Sequence, residues 1–439
     1  NDESGLYDSR SINHRLQRLR RLRKKGDDKG LLFALNEGIH GNMAGMGKAK
    51  LHQKAKAGTK HLIEDYVAEI CDAMKHLSPR RFKGLSWGER IEFFQRASHC
   101  YGRTALMLSG GGSLGYFHFG LLKTLIEQKL LPVVISGSSM GAFVAAVVGS
   151  RSDEEFLALF EDNQLSKILT ANNEDVKLGF RKFTSKDMKG IKKGMQKLIP
   201  DMTFLEAYEK TGRSINISIS PAEPNQTSRL LNHIASPNVT LLSAVMASSA
   251  LPGIFPSVQL EARNADGEIK PYLPHRRWID GSFSQDLPAK RLARMYGVNH
   301  YIVSQVMPGL GNEPSLKPGL RKIATDASVA TVKQILRGYL DFFQRRAGVG
   351  PRAGAAMNAI NSLLEQRFIG DINIVPQRDD KRLGKLLKML NDEELTDLIK
   401  AGERAAWPKV PVISTTTRIG RTLDRILHAF EVDEAHWLN

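Results

Sequence analysis

The sequence predicts an α/β fold with a mostly parallel sheet and helical regions on either side of it in the chain. From residue 104 short apolar segments alternate with helical stretches, and two glycine-rich segments each follow an apolar strand and open a helix. Amphipathic stripes dominate both ends of the chain. We expect a helical region over residues 1–100, an α/β core over 101–310 and a mainly helical region over 311–439.

The composition is that of a globular protein with a strong positive charge. Hydrophobic residues make up 41% of the 439 residues and charged residues 25%, which excludes a disordered chain. The net charge of +17 favours a partner with an anionic surface, either phospholipid headgroups or nucleic acid. Because neither zinc-ligand clusters nor a nucleic-acid-binding module is recognisable, a membrane surface is the better prediction.

The cysteine content and the apolar runs indicate the cellular location of the protein. Two cysteines, Cys71 and Cys100, cannot form a disulfide scaffold and fit a reducing compartment. No signal-peptide pattern opens the chain, which begins at Asn1 rather than methionine. The longest apolar run, residues 142–148, is far shorter than the roughly 20 residues of a membrane-spanning helix. We expect a cytoplasmic protein in peripheral contact with a membrane surface.

The first hundred residues predict amphipathic helices. A basic segment before Gly30 carries Leu16, Leu19 and Leu22, which roughly hold one helical face. Packing of these leucines on the protein body is favoured over insertion in a membrane interface. Further helices are predicted over 31–39, over 59–76 and from Trp87.

The clearest strand candidates lie in the predicted core. They are residues 105–108, 133–136, 214–218, 278–279 and 301–305. Towards the end of the chain a further strand is predicted over 368–375. A helix follows the N-cap pair Asn391 and Glu394, and a last helix carries an apolar stripe from Ile419 to Phe430.

A stripe over residues 332–343 has full amphipathic spacing and basic neighbours. The basic residues are Lys333, Arg337, Arg345 and Arg346. The stripe either packs on the core, which is favoured, or docks on a membrane surface.

The second glycine-rich segment has the G-x-S-x-G pattern, formed by Gly137, Ser139 and Gly141. Small flanking residues let a strand bend sharply into a helix and expose the central hydroxyl at the helix N-terminus. An ordinary helix N-cap is the alternative role for Ser139. The apolar strand before it and the small-residue helix after it favour a nucleophile, so the sequence predicts a serine acyl hydrolase.

The first glycine-rich segment also satisfies the dinucleotide pattern G-x-G-x-x-G, through Gly110, Gly112 and Gly115. That pattern expects an acidic residue at the end of the next strand, where this chain has S-G-S at 136–138. A phosphate loop would need a lysine and a hydroxyl residue after the glycines, and these are missing. Nucleotide binding is therefore disfavoured.

An oxyanion hole fits the first glycine-rich segment better. Unhindered backbone N–H groups at a helix N-terminus can bind the negative oxygen of a tetrahedral intermediate. The candidate donors are the N–H groups of Gly110, Gly111 and Gly112, together with that of Met140 after the nucleophile.

Ser139 also needs a general base. The downstream histidines His300, His428 and His436 stand before a strand, in a helical stripe and near the chain end, so structural roles are favoured. Asp280 follows a short predicted strand and precedes Gly281. An Asp-Gly pair is most often a tight turn, so Asp280 is a base only if the fold brings it to Ser139.

Four ordered blocks resemble the signature elements of patatin-like phospholipases. They are S-G-G-G-S-L-G at 109–115, G-S-S-M-G at 137–141, A-S-S-A-L-P-G-I-F-P at 247–256 and D-G at 280–281. Segments 58–66, 87–90, 101–105, 151–155 and 370–376 are similar to one branch of that family, the lipid-droplet triacylglycerol lipases and their bacterial relatives.

This resemblance implies a three-layer patatin-like core and a catalytic dyad of Ser139 and Asp280 without histidine. Gly110, Gly111 and Gly112 would form the oxyanion hole, and no metal or cofactor would be required. The implied reaction is hydrolysis of fatty-acyl esters of glycerolipids, triacylglycerol or phospholipid, at a membrane or lipid-droplet surface. Because no nucleic-acid-binding module is recognisable, specific nucleic-acid binding is not expected.

One residue departs from the patatin-like pattern, and the resemblance leaves two alternative functions open. Leu114 stands where many patatins carry Arg or Lys, so a positive charge near the site is missing. The alternatives are an acyltransferase or lysophospholipase that uses the same dyad, and a basic lipid-binding protein without turnover.

Overall fold

A computed structural model describes most of the chain. The described residues are 5–39, 41–48, 51, 59–79, 84–170, 185–223, 226–251, 255–281, 288–306, 370–376 and 390–438. Two compact units are present. The first contains residues 1–104, 296–300 and 408–439, and the second contains residues 105–295 and 301–407.

The described residues contain fourteen α-helices and nine strands. The helices are α1 Ser9–Lys25, α2 Asp28–Asn36, α3 His61–Leu77, α4 Trp87–Tyr101, α5 Phe117–Glu127, α6 Met140–Gly149, α7 Asp153–Ala158, α8 Gln164–Thr170, α9 Ser185–Gln196, α10 Phe204–Thr211, α11 Leu241–Ser248, α12 Pro288–Tyr296, α13 Asp392–Ala406 and α14 Val410–Leu438. The strands are β1 Arg103–Leu108, β2 Val134–Gly137, β3 Ser214–Pro221, β4 Arg229–Leu231, β5 Leu260–Arg263, β6 Ile269–Tyr272, β7 Trp278–Asp280, β8 Val298–Ser304 and β9 Ile372–Ile374.

The first unit is a helical cluster around its own apolar core. Helix α3 packs against α1 and α14, and α4 packs against α14. Leu16 and Leu19 of α1 are buried in this core, and Leu22 packs at its margin. The prediction that these leucines pack on the protein body is confirmed, and the arginines of α1 remain on its outer side or pair with neighbouring residues such as Glu37 and Glu69.

The second unit contains a sheet with strand order β4-β3-β2-β1-β8-β9, and β7 also pairs with β3. Strands β1 and β2, β2 and β3, and β8 and β9 run parallel. Strands β4 and β7 run antiparallel to β3. The predicted α/β fold with a mostly parallel sheet is confirmed, and all five strand candidates are present.

The sequence analysis did not predict strands β4, β5 and β6. Strand β4 is only three residues long, and β5 and β6 form a separate hairpin. The turn of that hairpin contains Asp266 and Gly267, a pair that is itself a hairpin signal. Strand β9 is also shorter than the segment predicted for it.

Helix α6 is the central helix of the second unit. Residues 141–149 of α6 are all buried, because the helix lies against β2 and β3 and contacts α11. Helix α5 packs closely on α13 where Gly120 meets the carbonyl of Ile399 and Gly402 meets the carbonyl of Phe117. A side chain at either glycine would separate the two helix backbones.

Local signals near the end of the chain are confirmed. Asn391 caps α13 by accepting a hydrogen bond from Glu394 N at 2.8 Å, and the Glu394 carboxylate accepts one from Asn391 N at 3.3 Å.

The stripe at 332–343 lies outside the described residues, so its role and the three-region division stay predictions. Among the described residues, no helix has both the length and the apolar character that crossing a membrane requires.

Candidate active site

Ser139 occupies a strained turn between β2 and α6. Its backbone has φ of 52° and ψ of −122°, a left-handed conformation that costs energy for any residue with a side chain. Ser139 is at the N-cap position, but its hydroxyl makes no capping hydrogen bond. The N-cap alternative for Ser139 therefore loses its main support.

The flanking glycines of this turn are required by close backbone contacts. A Cβ atom at Gly137 would clash with the Gly141 carbonyl, and one at Gly141 would clash with the carbonyl of Leu108. Since these neighbours are backbone atoms, they cannot rotate away. The predicted sharp bend of the G-x-S-x-G segment is present.

The side chain of Ser248 holds the backbone of the Ser139 turn by a hydrogen bond. The N–H of Ser139 donates to Ser248 Oγ at 2.9 Å, and Ser248 Oγ donates to the Ser218 carbonyl at 2.8 Å. Ser248 is fully buried at the end of α11. The turn is therefore tied to β3 through one hydroxyl, whose role the sequence did not indicate.

The first glycine-rich segment lies directly against this turn. Gly141 faces the backbone of Leu108 and Ser109, and a Cβ atom at Gly115 would clash with the Met140 side chain. Gly111 has φ of 147° and Gly112 has φ of 50°. The structure thus brings together the two glycine-rich segments that sequence analysis singled out, some two dozen residues apart in the chain.

His118 anchors the first glycine-rich segment and was missed by sequence reasoning, which considered only histidines after Ser139. Its Nε2 lies 2.9 Å from the Ser109 carbonyl and its Nδ1 lies 2.8 Å from Ser304 Oγ. The ring is fully buried, and this burial lowers its pKa to about 4. The sequence did offer one indication of its role, since His118 is the only polar residue in the apolar run 117–122.

Asp280 is placed by strand register. Ile217 of β3 pairs with Gly137 of β2 and with Leu231 of β4, so β2 and β4 occupy opposite edges of β3. Ile219 pairs with Arg229 of β4 and with Asp280. Strand β7 must therefore continue the β2 edge, beyond the point where β2 ends.

This register places Asp280 on the edge of β3 that β2 occupies, beyond the strand end that leads into the Ser139 turn. Ile219 is two residues beyond Ile217, or about 7 Å further along β3. Asp280 is fully buried, its N–H donates to the Ala250 carbonyl at 3.0 Å, and the following Gly281 packs on the backbone of Ser218. Ser218 is the residue whose carbonyl accepts the hydrogen bond from Ser248, so Asp280 and Ser139 are positioned by the same stretch of β3.

The downstream histidines take other positions. His300 Nδ1 lies 3.1 Å from Thr104 Oγ1, His428 lies on α14, and the side chain of His436 is outside the described residues. In the part of the chain that the structure describes, no group of three or more His, Cys, Asp or Glu side chains could hold a metal ion.

Comparison with known proteins gives the family. Residues 106–293 match the family described as patatin-like phospholipase, and residues 1–99 match a domain of unknown function, DUF3336. Triacylglycerol lipase ptl3 of Schizosaccharomyces pombe is 32% identical over 93% of this chain and 86% of that protein. The chain belongs to the patatin-like phospholipase family.

Two other family members show the same extended similarity. Triacylglycerol lipase SDP1L of Arabidopsis thaliana is 32% identical over 96% of this chain and 54% of its own length. Triacylglycerol lipase 4 of Saccharomyces cerevisiae is 36% identical over 94% of this chain and 47% of its own length. This patatin-like chain spans about half the length of those two relatives.

Proposed function

We propose that this chain is a serine lipid acyl hydrolase that cleaves fatty-acyl esters of glycerolipids, with Ser139 as nucleophile and Asp280 as general base. The observation that carries the proposal is the position of Asp280. The support is that Asp280 is buried on the edge of β3 that β2 also occupies. Ser139, two residues after the end of β2, has a strained backbone and a hydroxyl that caps no helix. A nucleophile next to a base is the arrangement that covalent catalysis requires.

Acylation begins with proton transfer. Asp280 takes the proton of Ser139 Oγ as that oxygen attacks the ester carbonyl, and a tetrahedral intermediate with a negative oxygen forms. When the intermediate collapses, the carbon–oxygen bond to the glycerol moiety breaks. Asp280 returns its proton to the leaving alkoxide, and the fatty-acyl group stays on Ser139.

Deacylation uses the same two residues. Asp280 takes a proton from water, which attacks the acyl carbonyl and forms a second tetrahedral intermediate. Collapse breaks the bond to Ser139 Oγ, which recovers its proton from Asp280. The net reaction is ester plus water giving a fatty acid and an alcohol, and no metal or cofactor takes part in these steps.

The N–H groups of Gly110, Gly111, Gly112 and Met140 are assigned to the oxyanion. Met140 is the first residue of α6, where N–H groups have no acceptor within the helix and the helix dipole favours negative charge. Loss of one such donor typically costs about 3–4 kcal/mol of transition-state stabilisation. The contact between the two glycine-rich segments supports a shared site for these donors.

A neutral glycerolipid is the substrate we favour. The three relatives described above carry the name triacylglycerol lipase, and the buried Leu114 replaces a cation found in many patatins. The net charge of +17 supports peripheral binding to an anionic lipid surface, of a membrane or a lipid droplet. A cytoplasmic location agrees with the two cysteines, which fit a reducing compartment.

A fluorophosphonate probe tests the proposal. We expect the native protein to be labelled and to release fatty acid from a triolein emulsion, Ser139→Ala to lose both, and Asp280→Asn to react far more slowly. Ser138→Ala is the matched control, because it changes the neighbouring serine, and it should be labelled like the native protein. A folded native protein that takes no label, or label retained by Ser139→Ala, would overturn the proposal.

Product analysis separates hydrolysis from transfer. Adding a diacylglycerol or lysophospholipid acceptor should leave free fatty acid as the main product. Acyl transfer to the acceptor as the main product would favour an acyltransferase instead.

A further inference from the structure

We infer that His118 is a positioning residue of the acyl-transfer site, which turns the N–H of Gly110 towards the oxyanion by holding the Ser109 carbonyl. The inference rests on the proposed function, because it assigns a role in that same site. His118 itself does not contact the reacting atoms. It acts through the peptide bond between Ser109 and Gly110.

The hydrogen bonds of His118 determine which ring nitrogen carries the proton. A carbonyl oxygen can only accept, so Nε2 must donate to the Ser109 carbonyl, 2.9 Å away. Nδ1 of the neutral ring then accepts from the Ser304 hydroxyl at 2.8 Å. Because burial keeps the ring neutral well below pH 7, this single tautomer holds through the physiological range.

Peptide geometry transmits the effect to Gly110. The bond between Ser109 and Gly110 is planar and trans, so its C=O and N–H point in opposite directions. A hydrogen bond that holds the C=O on the His118 side therefore sets the N–H on the other side. Without that bond the peptide plane could rotate, and the Gly110 N–H would lose its direction.

The next peptide is held in the same way. Ser109 Oγ accepts from Val306 N at 3.2 Å and donates to the Gly110 carbonyl at 3.0 Å, which orients the N–H of Gly111. Ser109 N donates to the Ser304 carbonyl at 3.0 Å. Hydrogen bonds thus hold the carbonyls of Ser109 and Gly110. Both sets of contacts lead to the end of β8 or the residues just after it, through Ser304 and Val306.

A purely structural histidine would have a different signature. If His118 served only to fill the core, its replacement would lower stability and would not depend on which of the two hydrogen bonds was kept. A positioning role predicts that the bond to Ser109 matters for turnover and the bond to Ser304 much less. The two conservative amides separate these possibilities.

The test compares His118→Gln with His118→Asn. The glutamine amide reaches the position of Nε2 and can donate to the Ser109 carbonyl, whereas the shorter asparagine amide lies near Nδ1 and keeps the Ser304 contact. Thr124→Val is the matched control, since Thr124 is also fully buried on α5 and donates to the Gly120 carbonyl at 3.1 Å, away from the loop. We would measure kcat and KM for a soluble p-nitrophenyl butyrate substrate.

We expect His118→Asn to lower kcat about 10- to 100-fold with KM nearly unchanged, and His118→Gln to recover most of that loss. Inhibition by a long-chain trifluoromethyl ketone, which forms an oxyanion with the serine, should weaken in His118→Asn by the same factor. Binding of the matching unreactive alcohol should not change, and Thr124→Val should keep the native kcat.

Two results would overturn the inference. One is a kcat in His118→Asn equal to that of His118→Gln, and the other is trifluoromethyl ketone affinity that is unchanged in His118→Asn. Native turnover that depends on Ser139 in the same assay shows that such a failure concerns His118 alone. Native turnover that survives Ser139→Ala would remove the proposed function, and this inference with it.

Discussion

The backbone N–H of Ser139 donates to Ser248 Oγ at 2.9 Å, which joins the strained turn to the end of α11. The same hydroxyl donates to the Ser218 carbonyl of β3 at 2.8 Å. Strand β3 also pairs with β7, which ends at Asp280. One strand therefore positions both members of the proposed dyad, and the Ser139 N–H is already used in holding the turn.

Ser248→Ala should weaken both the fold and catalysis. The change leaves a buried N–H without its acceptor and a carbonyl without its donor, which costs about 1–3 kcal/mol in the free energy of unfolding. We expect kcat to fall about 10-fold with a small change in KM, because the Ser139 turn loses its support. Urea denaturation and steady-state kinetics measure the two effects.

Ser150→Ala is the control for this prediction. Ser150 is also fully buried, at the other end of α6, and its hydroxyl donates to the Val147 carbonyl at 3.2 Å. It should lose some stability and keep the native kcat. Equal kcat values in the two variants would refute a positioning role for Ser248.

Gly111→Ala should strongly lower turnover without unfolding the protein. The φ of 147° at Gly111 is unfavourable for alanine, and the new Cβ would clash with the Val306 side chain. The loop must then move, which we expect to lower kcat at least 100-fold. Gly88→Ala is the control, because nothing lies within 4 Å of a Cβ there, and activity should be unchanged. A Gly111→Ala enzyme with native kcat would contradict the assigned oxyanion loop.

Arg213→Met should destabilise the helix that follows the nucleophile. Arg213 Nη1 donates to the carbonyls of Val148 and Arg151 at 2.6 and 2.7 Å, and its side chain is only 11% exposed. It satisfies a carbonyl in the last turn of α6, which would otherwise have no partner within the helix. We expect the free energy of unfolding to fall by about 2–4 kcal/mol.

Arg96→Met provides the comparison for Arg213. Arg96 pairs with Glu92 on the surface of α4, with side chains 58% and 71% exposed, and such pairs contribute about 0.5 kcal/mol or less. Chemical denaturation of both variants should give clearly different losses. Similar losses would show that Arg213 has no special role at the end of α6.

His118 should make stability depend on pH on the acidic side. Burial lowers the pKa of His118 from 6.5 to about 4 in the folded protein, so the unfolded chain binds a proton more readily. Above pH 6.5 the ring is neutral in both states, so the lowered pKa has no effect on the free energy of unfolding. As the pH falls towards 4, the free energy of unfolding decreases by up to about 3 kcal/mol.

His118→Gln removes this titration, since glutamine does not ionise. Thermal unfolding between pH 4 and pH 7.5 should show a smaller acid-side loss of stability in the variant than in the native protein. Parallel curves for the two proteins would show that His118 is not buried as a neutral ring.

Features that depend on a few neighbouring residues were predictable from the sequence. The sharp turn at Ser139 follows from the glycines on either side of it, and the start of α13 follows from Asn391 and Glu394. The leucine face of α1 follows from helical spacing alone. In each case the physical cause acts within one turn of backbone, through steric limits on φ and ψ, a local hydrogen bond or the helical period.

Only the tertiary structure decided how the distant parts of the site meet. An Asp-Gly pair is most often a turn, and the position of Asp280 in the sheet depends on its pairing with Ile219, 61 positions earlier in the chain. His118 and Ser248 reach partners 186 and 109 positions away. Such contacts depend on strand order and on which side chains the packed core leaves opposite one another, and a local sequence pattern carries no information about either.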